Sequence, residues 1–364
     1  MTLSLRPVKL AAFVSAVVVG LAAGSGVAAE GPDGVFAGTI GKASVVACFS
    51  SEATATYYYA KRGRDIGLVR RGNGGWNETR SEAEDEDAAG GSAGTTDSTG
   101  APGSTGTWRL TAGPADRLIG TWTSPDGRRS LPINMTRTAR TVAGECPTDA
   151  YNGVRVARVA RVPGKEQVTA GLRTRSFTAL GNSVKGFEIL GDGPGSKGLQ
   201  GAIEALHRAM LGQYYECVGP ATMGNQQPDF RGVLGLDAVT EHFVVVKQAV
   251  EYDCGGAYPD SDSNHIVFDR ATGRKVDIAK WLTVPIARIA HKHWKSTEPD
   301  CADESADGNA ILFWPTSRGL TLEPQFPHAM AVCRTDMTIP YARLAGKLTE
   351  AGKSATAEFA SAAK

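Results

Sequence analysis

Several stretches of this chain hold residue types at spacings that chemistry uses. Gly193-Pro194-Gly195-Ser196-Lys197-Gly198 fits G-x-G-x-x-G between a strand-like run and a helix, where glycines can bring backbone up to a pyrophosphate. Pro194 sits in the turn, no second parallel strand is expected at βαβ spacing, and Ser196 stands where a P-loop needs glycine before its lysine. The pattern is therefore read as a tight strand-to-helix turn. Asp260, Asp262 and Asn264 occupy positions 1, 3 and 5 of a calcium-loop register, but His265 replaces the turn glycine and Ala271 the bidentate glutamate, which favours a polar loop. His291 and His293 lie two apart on an expected helix and point about 200° from each other, so they cannot share one ion. Gly181-Asn182-Ser183-Val184-Lys185 misses the nucleophile elbow at its second glycine. A glycan hydrolase would need two carboxyls across a cleft, for which Asp253, Asp260 and Asp269 are the candidates. The motifs imply no cofactor, metal or catalytic residue.

The six cysteines are the remaining reactive set: Cys48, Cys146, Cys217, Cys254, Cys301 and Cys333. No C-x-x-C occurs, so zinc-ribbon and thioredoxin spacings are missing. An even number in an oxidising compartment implies disulfides, with 15 possible pairings. A helix end at Cys217 against a strand at Cys254 favours that pair, and chain order then suggests Cys301–Cys333 and Cys48–Cys146.

The compartment follows from the first 29 residues. Arg6 and Lys9 precede an uncharged apolar run from Leu10 to Ala23, and Val27-Ala28-Ala29 supplies small residues for cleavage before Glu30. This is the pattern of a secretory signal peptide, too short for a comfortable membrane span. The expected product is a soluble periplasmic or secreted protein with no membrane span after cleavage. Two of the 39 Lys and Arg residues lie in that leader, so 37 remain against 38 Asp and Glu. A balance so near neutrality argues against a nucleic-acid partner.

The elements that must position these residues fall into two domains of an α+β chain. Residues 30–140 carry short β-branched and aromatic runs split by turns such as Ser124-Pro125-Asp126-Gly127, the pattern of an antiparallel β-meander, open or partly closed. Two Gly-Thr-Trp triplets, at 106–108 and 120–122, mark neighbouring strands. An acidic, Gly/Ser/Thr-rich stretch over 81–105 is expected to be a flexible loop. Residues 141–350 form an α+β domain with an antiparallel sheet and two to three helices. Arg137 to Arg175 is rich in arginine, and the alternation around Val154-Arg155-Val156 suggests strand edges protected by charge, with a polyanion or acidic-protein contact as the alternative. Leu199, Ile203, Leu206 and Met210 form one apolar stripe of a helix over 197–214 that would bring Cys217 to the buried side. Pro285 opens a second helix with Ile286, Ile289, Ala290 and His293 inward, and a last one starts near Pro340. Residues 351–364 are small and polar, the composition of a frayed tail.

Within the second domain, Glu251-Tyr252-Asp253-Cys254-Gly255-Gly256-Ala257-Tyr258-Pro259, then His265-Ile266-Val267-Phe268-Asp269, Thr272-Gly273 and the closing Ile339-Pro340-Tyr341-Ala342-Arg343-Leu344, follow a recurring order. Over residues 185–348 the chain resembles the C-terminal ectodomain of RsiV-type anti-sigma factors. That resemblance implies an α+β fold that binds lysozyme, with no chemistry ascribed to it. The chain departs from the family pattern in lacking a membrane helix and cytoplasmic segment and in carrying a β-rich domain in front. The expectation is an exported, non-enzymatic binding protein of the cell envelope whose partner is a protein, lysozyme among the candidates, or an envelope polymer. The loop Tyr258 to His265, with Tyr258, Asp260, Asp262 and His265, is the expected partner surface, although Tyr258 could instead be tucked into the core. The alternatives are the acidic glycan hydrolase and a purely structural envelope protein.

Overall fold

The computed structural model describes residues 32–50, 53–72, 74–79, 105–113, 116–191, 195–223, 226–256, 258–301 and 304–362. The expected signal peptide, and all of the expected acidic loop except Thr105, lie outside the described residues.

Eight strands run in sequence order: β1 (Gly34–Ile40), β2 (Ala43–Phe49), β3 (Thr54–Tyr59), β4 (Asp65–Arg70), β5 (Trp76–Thr79), β6 (Thr107–Ala112), β7 (Arg117–Thr123) and β8 (Ser130–Ala139). Each pairs with the next, and β8 returns to β1, so the meander closes into a barrel. Closure brings Gly38 so near the Asn134 carbonyl on β8 that a Cβ would collide with backbone, so only glycine fits there. Strand alternation sends Phe36, Phe49, Tyr57, Trp76, Trp108 and Met135 inward, all buried. Side chains of this bulk pack the interior of an eight-stranded barrel.

One carboxylate lies among them. Glu78 is 3% exposed. Its Oε1 accepts from Tyr57 Oη at 2.6 Å, Trp108 Nε1 at 2.8 Å and Trp122 Nε1 at 2.7 Å, and Oε2 accepts from Thr105 Oγ1 at 2.9 Å. Burial and the adjacent carboxylate push the Tyr57 phenol far above its ordinary pKa, which keeps it a donor. The two Gly-Thr-Trp triplets thus have a reason: Trp108 and Trp122 are cross-strand partners whose indoles reach the same oxygen.

The opposite face of β2 and β3 is covered too. Val46, Cys48 and Tyr58 point outward beneath α1 (Thr148–Val156). Cys48 bonds Cys146 just ahead of that helix. The expected strand edge around Arg155 is therefore corrected: Val154-Arg155-Val156 is the last turn of α1. Its alternation resembles a strand, but the side chain of Arg155 is drawn inward by Asp65, 2.9 Å from Nη1. Arg155 also donates to Asn152 Oδ1 and the Gly63 carbonyl. Its guanidinium lies 4.2, 4.6 and 5.2 Å from the ring centres of Tyr215, Tyr58 and Tyr151. Tyr151 donates to the other oxygen of Asp65 at 2.5 Å.

The second domain is built on six strands: β9 (Arg161–Thr169), β10 (Leu172–Ala179), β11 (Val184–Leu190), β12 (Asp229–Val239), β13 (Phe243–Asp253) and β14 (Asp260–Asp269), in the order β14-β13-β12-β11-β10-β9. Helix α2 (Ser196–Met223) connects β11 to β12, which are parallel over two residue pairs, Val184 with Gly232 and Lys185 with Val233. This corrects the expectation that no parallel strand follows the glycine-rich turn; α2 is long enough to carry the crossover. It lays Leu199, Ile203 and Met210 on one face of the sheet. Gly195 and Gly198 abut the backbone of Ala271 and Thr272, so the hairpin turn after β14 fills the space a phosphate would need.

Helix α3 (Ile286–His293) buries Ile289 and Ala290 against a three-stranded sheet of β15 (Ala310–Thr316), β16 (Gly319–Gln325) and β17 (Met337–Ile339). The element near Pro340 is a 3-10 turn, Tyr341–Lys347, with Leu344 buried. The expected frayed tail is corrected as well. Residues Glu350–Ser361 form helix α4, capped by Thr349 accepting from Gly352 N. Its small residues allow a close approach: Gly352 abuts the backbone of Trp281. Phe359, 1% exposed, then fills the space between Trp281 and Phe243. The described residues thus hold four α-helices, where two or three were expected, the additional short ones being α1 and α4. None is long and apolar enough to cross a membrane.

Two outcomes follow. Glu78→Gln sets an amide NH2 among donors, and each donor left without an acceptor costs about 1–3 kcal/mol; a lowered denaturant midpoint with an unchanged slope is expected. At the domain joint, Asp65→Ala strands the Arg155 charge and should cost about 3–5 kcal/mol. Adding Arg155→Met should recover part of that loss, and equal denaturation of the single and double variants would refute the account.

Candidate functional site

The expected partner residues lie at the end of the hairpin formed by β13 and β14. Between the strands, residues 254–256 and 258–259 are described, and this segment is held at several points. Cys254 is bonded to Cys217 near the end of α2. Asp253 Oδ1 accepts from Gly255 N at 3.1 Å, and Gly255 has φ +85°, a conformation costly for other residues. From this anchored turn Tyr258 stands 74% exposed. The alternative in which Tyr258 is tucked into the core is thereby excluded.

Pro259, the next residue in the chain, lines a groove of about 520 Å3. Asp229 and Asp253 face each other across β12 and β13, and Glu251 and Asp260 line the same groove. Arg231, the single cation lining it among the described residues, is paired with Asp229 at 3.2 Å. The Tyr252 hydroxyl reaches towards Asp260 Oδ2 at 3.5 Å; its burial, with the acid beside it, raises the phenol's pKa. The far wall includes Ala331, in the 3-10 segment His328–Cys333 that Cys333 ties to Cys301. Both walls are therefore held by disulfides, in the pairings expected from helix position and chain order. Asp262 lines an adjoining recess of about 270 Å3 with Glu216, beside the Cys217–Cys254 bond.

The expected loop is shorter than the sequence suggests. Asp260, Asp262 and Asn264 belong to strand β14, as alternate residues on one face, so they are not a calcium loop. His265 departs furthest from expectation. Its side chain is 7% exposed and its ring stacks on Trp314 of β15 at 3.8 Å, joining the two sheets rather than facing a partner. Asp269, at the other end of β14, accepts from Thr272 N and Oγ1 in the hairpin turn. Of the three hydrolase candidates, Asp253 and Asp260 share the groove and Asp269 does not. His291 binds Asp307, while His293 lies near Lys347 Nζ.

The buried His265 imidazole has a pKa lowered to about 4 by desolvation and by Lys247, which faces it across the strands. The unfolded chain therefore binds this proton more readily than the folded one. The corresponding stability is complete above pH 6.5 and is lost as pH falls towards 4. His265→Gln does not titrate there, so its melting temperature should fall less than the wild type's between pH 6.5 and 4.5. Parallel curves for the two proteins would disprove this contribution.

No family model matches the chain, and no curated protein does. Among solved structures it is similar to a DUF3298 family protein from Pseudomonas aeruginosa PAO1, at 18% identity and TM-score 0.33, over 53% of this chain and 94% of the other. It is also similar to a DUF3298 family member from Bacteroides fragilis NCTC 9343, at 11% identity and TM-score 0.36, over 56% and 96%.

Proposed function

We propose that this is an exported binding protein that recognises a basic protein surface through the acidic groove, with Tyr258 as its aromatic anchor. The observation that carries the reading is the groove itself. Among the described residues, four carboxylates meet one paired arginine next to a largely exposed tyrosine, between walls held by disulfides. A recess of one charge sign attracts a partner of the other and accelerates encounter. Tyrosine is among the residue types that most often carry much of the binding energy once an interface covers them. Three disulfides and the leader-like first 29 residues support a periplasmic or secreted location. The RsiV-type resemblance makes a lysozyme-like protein the first partner to test, and an envelope polymer bearing cationic groups is the other ligand class.

A second reading has one observation in its favour. Asp253 and Asp260 line one groove, as a glycan hydrolase would require. Release of reducing ends from cell-wall glycan, abolished by Asp253→Asn, would support it. A purely structural envelope protein would bind no partner at this groove.

The binding reading is tested by titrating lysozyme at two ionic strengths against the wild type, Tyr258→Ala and Asp260→Asn. Tyr258→Ala should weaken binding by about tenfold, equivalent to roughly 1.4 kcal/mol. Asp260→Asn should slow association chiefly at low salt. Absence of binding to the wild type, or unchanged affinities in both variants, would remove lysozyme as the partner at this surface.

A further inference from the structure

A second recess, of opposite charge, lies where the barrel meets the α+β domain. The β3–β4 turn supplies one wall with Lys61 and Arg62, both exposed. Arg158, in the link from α1 to β9, supplies another, and its Nη1 bridges to the Ala60 carbonyl at 3.3 Å. The third wall is the turn between β10 and β11, where Leu180, Gly181 and Asn182 have φ of +52°, +63° and +81°. A left-handed leucine costs about 1–2 kcal/mol, so the fold holds this wall in a costly shape. The recess measures about 610 Å3, within the range of small-molecule sites.

Its charge is one-sided. Lys61, Arg62, Arg155 and Arg158 line it, and among the described residues no carboxylate does. Asp65 is the acid at this joint, but its side chain is 5% exposed and is engaged by Arg155 and Tyr151. Three cations on two walls are thus left facing one concave space. Val159, Val162 and Leu180 form its apolar part.

We propose that this cleft binds a multivalent oxyanion, with phosphate or carboxylate groups carried by one small molecule or repeated along an envelope polymer. Guanidinium groups match such oxygens in paired hydrogen bonds. The cations come from both domains, so a ligand needs more than one anionic group to engage both walls. Such a ligand bridges the joint and stabilises the folded chain by mass action.

The probes are inorganic pyrophosphate and long-chain polyphosphate, titrated by calorimetry and by thermal melting at constant ionic strength. At least one should bind the wild type and raise its melting temperature; binding of polyphosphate alone identifies a polymer ligand. Arg62→Glu with Arg158→Glu should weaken binding at least tenfold. Arg128→Glu, an 88%-exposed side chain on the barrel's β7–β8 turn, should leave it unchanged. If the Arg158 change disturbs folding, Lys61→Gln with Arg62→Gln tests the same site. No binding of either probe to the wild type, or equal affinity in folded cleft variants, overturns the proposal. Neither result bears on the acidic groove, whose residues are unaltered.

Discussion

Arg155 and Asp65 form a buried ion pair, and the relation of the two domains depends on it. The pair joins the barrel strand β4 to helix α1, and Tyr215 brings the long helix α2 against the same guanidinium. Withdrawing both charges from water is expensive, so direct contact alone would be a weak reason for their stability. Asn152, the Gly63 carbonyl and Tyr151 add further hydrogen bonds to the pair, and three tyrosine rings surround the cation. Burial raises the Asp65 pKa, while Arg155 and these hydrogen bonds oppose that effect. Cys48–Cys146 constrains the same junction covalently.

The barrel contains the complementary arrangement. Glu78 has no basic partner among its hydrogen bonds and is satisfied by a phenol, two indoles and a hydroxyl. Its donors come from β3, β6, β7 and the segment leading into β6, so the carboxylate ties together strands distant in sequence. Both buried acids specify geometry: apolar packing tolerates small displacements, whereas a short hydrogen bond to a fixed donor does not.

Local periodicity made much of this architecture legible. The stripe from Leu199 to Met210, the paired Gly-Thr-Trp triplets and the hairpin around Asp269 each depend on neighbours in sequence, and each has the expected form. The three disulfides also followed from helix position and chain order. Barrel closure was less legible because β1 and β8 are separated by most of the first domain. Arg155 was misread because a short helix of alternating Val and Arg has the local pattern of a strand. Helix α4 was missed because Gly352 and Ala355 look like tail composition until Trp281 requires their small size. At the candidate site, the local sequence left the exposure of Tyr258 open and placed Asp260 in a loop rather than in β14, and the position of His265 depended on a distant Trp314. The acidic groove arises from cross-strand neighbours, and the basic cleft from segments about 100 residues apart, so neither leaves a compact motif.

The functional account rests on the acidic groove being a protein-docking surface. Its walls come from β12 to β14 and from the segment tied by Cys301–Cys333, so a partner seated there must cover both. Hydrogen exchange followed with and without a saturating basic partner, beginning with lysozyme, tests this claim most directly. The account predicts slowed exchange over residues 251–262 together with 329–333, while the barrel strands exchange as before. Protection confined to the barrel, or a saturated complex with unchanged exchange in both groove segments, would contradict it.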